Sequence, residues 1–196
     1  TIQSTFTKFP YLRKVWQRNT EEERLLGVSL TGIYDNPLLT TQGDELNGLL
    51  SELREAARRA NEEFAGLLGI PVSAAITCVK PSGTVSQLVD SASGIHPRHS
   101  KYYIRRVRGD KKDPLTQFLI SQGIPNEACV YKPDQTVVFS FPQKAPAGIT
   151  RSDVSPVSHL ELWLTFQRHW CEHKPSVTIS VEEKDRSEEH TSELQS

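Results

Sequence analysis

A glycine turn flanked by hydroxyl side chains is the stretch of this sequence with the clearest chemical potential. An apolar run at residues 74–79 predicts a buried strand. Pro81 would end that strand because it has no N–H to donate to the ladder. Gly83 would then allow a tight turn and close approach, and a helix would begin near Thr84. The free amides of a helix start, together with the helix dipole, favour a bound anion such as phosphate.

The same stretch also fits a plainer interpretation. Ser and Thr are common N-cap residues, so the turn could be an ordinary capped junction between a strand and a helix. The residue types alone leave both interpretations open. The candidate phosphate site consists of Ser82, Gly83, Thr84, Val85 and Ser86.

Elements that position this turn are predicted from hydrophobic periodicity. A strand is predicted near residue 28, and the apolar positions of residues 42–68 recur at helical spacing up to Gly69. Residues 20–23 have the form of a capping box that would open a short turn. Further strands are predicted at residues 101–108, at 136–141 with Pro142 as the stop, and at 175–181, with helices from Pro114 and at 157–173.

This alternation of strands and helices predicts an α/β fold with a largely parallel sheet. About five strands in one piece suit part of a larger barrel or sheet. Active sites in such folds gather where strand ends lead into helix starts, which is where the candidate turn lies.

Composition limits the possible classes of protein. The 196 residues carry a net charge of −1, and the net charge is +1 without residues 186–196. That balance neither requires nor excludes a polyanionic partner. No apolar run approaches the ~20 residues needed to cross a bilayer, and no signal segment opens the chain. Neither a membrane nor a nucleic-acid partner is expected. The three cysteines, Cys78, Cys129 and Cys171, have neither pairing nor metal-ligand spacing, and such a sparse set favours the reducing cytoplasm.

Two features predict that the chain is a fragment. It contains no methionine, and residues 186–196 resemble the translation of a common sequencing-library adapter. We therefore expect residues 186–196 to be a non-native disordered tail and exclude them from fold reasoning.

Several motifs together resemble a known enzyme family. They are Cys78-Val79-Lys80-Pro81-Ser82-Gly83-Thr84-Val85-Ser86-Gln87-Leu88, Ser93-Gly94-Ile95-His96-Pro97-Arg98 and Tyr102-Tyr103-Ile104-Arg105-Arg106-Val107-Arg108. In this order they resemble adenosylcobalamin-dependent (class II) ribonucleotide reductase, in its ribonucleoside-triphosphate branch. The resemblance extends over residues 1–185.

The resemblance implies a fold and an activity. The fold would be the second half of a ten-stranded α/β barrel of the ribonucleotide reductase type. The enzyme would convert ribonucleoside triphosphates to deoxyribonucleotides by thiyl radical chemistry, with adenosylcobalamin as cofactor and a thioredoxin-type protein as reductant. The radical and redox cysteines of the family lie outside the matched segment. No catalytic or metal-binding residue is therefore assigned, and the chain is expected to be inactive on its own.

The resemblance also implies roles for particular residues. In the family, the equivalents of residues 82–86 bind the substrate phosphates. Ser29, His96 and Arg98 could line the substrate or cofactor cavity, although a surface position for His96 is equally open. The basic residues Arg105, Arg106 and Arg108 could face phosphate or could be a charged sheet edge.

Two other functions stay open from the sequence. A class I reductase shares the barrel but takes its radical from a partner subunit, and the Gly83 form of the turn favours class II. A non-catalytic nucleotide-binding module could also use such a turn, although the family match along the chain argues against it.

Overall fold

Two small sheets and a pair of packed helices frame the described part of the chain. The structure is a computed structural model, which describes residues 6, 8–146 and 149–181. The predicted tail at residues 186–196 lies outside these residues. The helices are α1 (Lys14–Glu23), α2 (Pro37–Thr40), α3 (Asp44–Leu68), α4 (Val85–Leu88), α5 (Pro114–Ser121) and α6 (Pro156–His169). The strands are β1 (Val28–Ser29), β2 (Thr77–Cys78), β3 (Tyr102–Asp110), β4 (Asn126–Ala128) and β5 (Thr136–Lys144), and 3-10 turns span Ile33–Asp35 and Arg151–Asp153.

Helix α3 is the longest element, and the sequence predicted it closely. It buries Leu46 and Leu50 in a core that also contains Leu162 and Phe166 of α6. It ends at Gly69, whose φ of 64° lies in the left-handed region that glycine adopts without strain. The apolar stripe of α3 thus supplies the helix face on which α6 packs.

The sheets pair differently from the prediction. β1 and β2 are parallel, with Val28 opposite Thr77 and Ser29 opposite Cys78. The other sheet is antiparallel in the order β3-β5-β4. A mixed fold of helices and sheets is therefore confirmed, but the prediction of a largely parallel sheet was wrong for the described residues. β3 and β4 both run antiparallel to β5, so they are parallel to each other. The short helix α5 connects them, and the chain reverses direction between β4 and β5.

Several local predictions also need correction. β5 continues through Pro142 to Lys144, because β4 pairs only with residues up to Phe139 and leaves the neighbouring edge of β5 free of a described strand. Residues 175–181 form no strand in the described region. Residues 20–23 end α1 instead of opening a turn. The strands predicted near residues 28 and 74–79 are only two residues long, and β4 was not predicted.

Strand β2 is held from the segment that follows α6. The indole Nε1 of Trp170 donates to the carbonyl of Cys78 at 2.7 Å. The carboxylate of Glu172 accepts from the amides of Ile76 and Thr77 at 2.7 and 3.0 Å. These bonds fix the strand from which the candidate phosphate turn departs.

In the described part of the chain, no helix combines the length and apolar character that a membrane crossing requires.

Candidate functional site

The turn between β2 and α4 leaves the core at Val79, which is 2% exposed. Helix α4 comprises only Val85–Leu88, with Thr84 at its N-cap position. Thr84 makes no capping hydrogen bond through its side chain. Instead, the Ser86 hydroxyl donates to the carbonyl of Ser82 at 2.6 Å, and this hydrogen bond links the two ends of the turn. The simple N-cap interpretation therefore does not account for Thr84.

A run of backbone donors lies along this turn. Among the residues that the structure describes, the amides of residues 82–86 donate no hydrogen bond to a protein acceptor. The next two amides, those of Gln87 and Leu88, donate to the Thr84 carbonyl at 3.0 and 3.2 Å. Consecutive amides without a protein acceptor can bind an anion such as a phosphate group.

Gly83 does not have the structural role that the sequence suggested. A Cβ built on Gly83 would meet no atom within 4 Å, and its φ is not positive. The close backbone approach occurs at Gly94, where a Cβ would lie 2.6 Å from the carbonyl oxygen of Lys80. Gly94 also has a φ of 53°. Glycine is thus required in the second loop, and space beside Gly83 stays open for a ligand.

Ser29 contacts the backbone at the start of the turn. Its hydroxyl oxygen accepts from the Lys80 amide at 3.0 Å. The contact follows from the parallel register of β1 and β2, which places Ser29 beside Cys78. Ser29 therefore holds the backbone just before Pro81.

Thr31 joins the turn to the second loop, and the sequence analysis missed this role. Its hydroxyl donates to the Ala92 carbonyl at 2.9 Å and accepts from the Gly94 amide at 3.0 Å. The hydroxyl oxygens of Thr31 and Ser82 lie 3.3 Å apart. The sequence held one signal, since alternation in a strand predicted near residue 28 would place Thr31 on the same face as Ser29.

His96 makes a local contact within the second loop. Its Nδ1 lies 3.0 Å from the carbonyl oxygen of Ser93, and its own amide donates to the same carbonyl at 2.9 Å. The half-buried ring therefore stabilises the loop conformation. His96 thus lies in the loop that packs on Lys80, and its side chain does not contact residues 82–86.

Arg98 is buried, with only 6% of the residue exposed. It forms ion pairs with Asp35 and Asp90, each at 3.0 Å. Burial disfavours the charge, but the hydrogen bonds to Asp35 and Asp90 prevail and hold the pKa of Arg98 above its ordinary value. Its guanidinium is thus engaged by protein partners, so a substrate phosphate would have to displace one of them.

A cavity of about 440 Å³ lies beside the turn. Lys80 and Pro81 line it from the turn, and His173 and Lys174 line it from the segment after α6. The two lysines give this cavity a positive lining, which suits an anionic ligand. A second cavity, of about 640 Å³, lies at the ends of β3 and β5 and shares no residue with the turn.

The cysteines lie in the core, as predicted for Cys78. All three are free and buried. Burial raises the pKa of Cys78, and burial together with the neighbouring Cys78 charge raises the pKa of Cys171 to about 12. The raised pKa values keep the thiols of Cys78 and Cys171 protonated at neutral pH, which fits a packing role.

Comparison with known proteins was made against this geometry. No protein-family model matches the chain. It is 33% identical over 172 residues to the adenosylcobalamin-dependent ribonucleoside-triphosphate reductase of Euglena gracilis, an alignment that covers 85% of this chain and 23% of that protein. The chain belongs to the adenosylcobalamin-dependent ribonucleotide reductase family.

Two further reductases support the assignment of this segment. A probable adenosylcobalamin-dependent ribonucleoside-triphosphate reductase of Dictyostelium discoideum is 32% identical over 93% of this chain and 23% of its own length. A crystal structure of a B12-dependent, class II ribonucleotide reductase superposes with a TM-score of 0.75 at 26% identity, over 91% of this chain and 29% of that one. This reductase segment thus spans about a quarter of the length of its relatives.

Proposed function

We propose that this chain is the part of an adenosylcobalamin-dependent ribonucleoside-triphosphate reductase that holds the phosphates of the substrate. The observation that carries the proposal is the run of amides at residues 82–86 that lack a described acceptor, inside a segment similar to such reductases over most of its length. The relatives supply the substrate class, because their names specify a ribonucleoside triphosphate.

The proposed site uses backbone more than side chains. The amides of residues 82–86 donate to phosphate oxygens, and the Thr84 hydroxyl adds a donor at the same turn. Hydrogen bonds to a charged acceptor contribute about 1.5–3 kcal/mol each, so a few of them are enough for substrate-range affinity. Lys80 and Lys174 raise the local positive potential. Ser29 and Thr31 hold the turn in place.

The reaction itself is proposed for the full-length protein. It replaces the ribose 2′-hydroxyl by hydrogen through a cysteine thiyl radical, with a thioredoxin-type reductant restoring the redox cysteines. Adenosylcobalamin, when bound, supplies the initiating radical. Among the described residues, no group of three or more His, Cys, Asp or Glu side chains could hold a metal ion. We assign the described residues no step of the radical chemistry.

We further propose that the segment is part of the ten-stranded barrel of the family and that the protein works in the cytoplasm. The superposition on a class II reductase supports the barrel. The three free cysteines fit a reducing compartment.

Turnover by the full-length protein that carries this segment tests the proposed function. The expected result is deoxyribonucleotide formation from ribonucleoside triphosphates that depends on added adenosylcobalamin. Turnover of diphosphates that needs a second subunit and no cobalamin would establish a class I reductase instead. Nucleotide binding without any turnover would indicate a binding module.

A further inference from the structure

The guanidinium of Arg98 has a complete set of protein acceptors. Nε and Nη2 donate to the two carboxylate oxygens of Asp35 at 3.1 and 3.0 Å. Nη2 also donates to the Asp90 carbonyl at 2.5 Å, and Nη1 donates to the Asp90 carboxylate at 3.0 Å and reaches the Tyr103 hydroxyl at 3.5 Å. An arginine has five N–H donors, and each is directed at one of these oxygens. No donor is left for a ligand.

These bonds connect two elements on either side of the candidate phosphate turn. Asp35 lies in the 3-10 turn that follows β1, and Asp90 lies two residues after Leu88, the last residue of α4. Asp90 has a φ of 46°, a left-handed conformation that is uncommon for a residue with a side chain. Arg98 binds both the carbonyl and the carboxylate of Asp90, and so it stabilises this conformation.

The network continues from Asp35 back to the turn. The Asp35 carboxylate accepts from the Ala92 amide at 2.6 Å. The Ala92 carbonyl accepts from the Thr31 hydroxyl, which lies 3.3 Å from the Ser82 hydroxyl. The first residue of the turn and the end of its helix are therefore linked through one buried guanidinium.

We infer that Arg98 is a positioning residue for the phosphate turn and makes no direct contact with substrate. The inference rests on the proposed function of residues 82–86. Arg98 pairs with two carboxylates, and the Asp35 side chain is only 16% exposed, so loss of the guanidinium would leave a nearly buried carboxylate unpaired. Lysine would keep the positive charge but could not form the bidentate hydrogen bonds that Arg98 donates to Asp35.

Steady-state kinetics of the full-length reductase test this inference. The variants are Arg98→Lys and Arg98→Met, with thermal unfolding as a check on folding. Arg18→Met is the matched control, because Arg18 is an exposed arginine of α1 that pairs only with Glu22 among the described carboxylates. In both Arg98 variants the KM for ribonucleoside triphosphate should rise about tenfold while kcat changes less, because displaced binding groups lose affinity steeply with distance. The control should keep the KM of the parent protein.

A folded Arg98→Lys or Arg98→Met protein with the parent KM would overturn the inference, as would a loss of kcat at unchanged KM. If neither variant folds, Asp90→Asn gives the answer, since that side chain is 66% exposed and loses only its charge. Its KM should rise about threefold, a change of less than 1 kcal/mol that fits one weakened ion pair, and an unchanged KM would refute the positioning role.

Gly83→Val separates the two proposals. If Gly83→Val raises the KM and the Arg98 variants do not, the phosphate site is supported and the positioning role of Arg98 is refuted. If Gly83→Val leaves the KM unchanged, the phosphate site itself is refuted.

Discussion

Gly94 lies so close to Lys80 that a Cβ on Gly94 would be 2.6 Å from the Lys80 carbonyl oxygen. The contact joins the loop after α4 to the backbone that enters the phosphate turn. The Gly94 amide is tied to Thr31 in the same place. The shape of the turn thus depends on a glycine in a different loop.

Gly94→Ala should therefore destabilise the fold. A residue with a side chain at positive φ costs about 1–3 kcal/mol, and the clash with Lys80 adds to this cost. We expect the free energy of unfolding of this chain in urea to fall by about 2 kcal/mol or more. The matched control is Gly83→Ala, which meets no atom and should stay within about 0.5 kcal/mol of the parent chain. Equal losses in the two variants would contradict the assignment.

Gly83→Val should weaken substrate binding more than it weakens folding. Its side chain would enter open space beside the free amides instead of the core. We expect the affinity of the full-length protein for ribonucleoside triphosphate to fall about tenfold, since loss of one charged hydrogen bond costs about 1.5–3 kcal/mol. Thermal unfolding of the same variant should change little. Unaltered affinity in a folded variant would mean that this turn is not the phosphate site.

Glu172→Gln should reduce stability in a pH-dependent way. Partial burial alone would raise the pKa of Glu172, but hydrogen bonds from the Thr77 and Ile76 amides and the Arg58 charge outweigh it, and the pKa is lowered. A carboxylate with a lowered folded-state pKa stabilises the fold above its unfolded pKa of about 4.3, and this contribution is lost as the pH falls through the folded-state value.

Urea unfolding at pH 7 and in the acid range measures this effect. At pH 7 the Glu172→Gln chain should be about 2 kcal/mol less stable than the parent chain, and the gap should narrow below about pH 4. Glu161→Gln, on the exposed face of α6, is the control and should change little at either pH. A gap that stays constant with pH would show that ionised Glu172 does not stabilise β2.

Thiol labelling should separate the three cysteines. The pKa of Cys171, raised to about 12 by burial and by Cys78, leaves almost no thiolate at pH 8. Hydrogen bonds from the Lys132 and Tyr131 backbone lower the pKa of Cys129. All three side chains are buried to a similar extent, so the order of reaction should follow the thiolate fraction, with Cys129 reacting before Cys78 and Cys171. Rapid native-state labelling of Cys171 would refute its place in the core.

The sequence predicted well those features that neighbouring residues determine, and it predicted poorly those that depend on residues far apart in the chain. Helix α3 and the location of the turn were predicted well, because helical periodicity, Gly69 and Pro81 act within a few residues. The orientation of the strands was not predicted correctly, because apolar runs do not specify which strands pair or in which direction. β4 gave no signal, since its three residues are exposed and lack β-branched side chains.

The candidate site shows the same division. The residues of the turn could be found from their types and spacing. The roles of Arg98 and Gly94 could not, because the partners that define them lie elsewhere in the chain: Asp35 is 63 residues before Arg98, and the Lys80 carbonyl meets Gly94 only after the loop folds back. Arg98 looked like a free cation in the sequence because its compensating carboxylates were not adjacent.

Hydrogen exchange at the turn amides tests the central proposal most directly. The full-length reductase would be exchanged alone, with ribonucleoside triphosphate, and with the corresponding nucleoside. We predict that the triphosphate slows exchange of the amides at residues 82–86, whereas the nucleoside without phosphates does not. Unchanged exchange at these amides under saturating triphosphate would contradict the proposal that they hold the substrate phosphates.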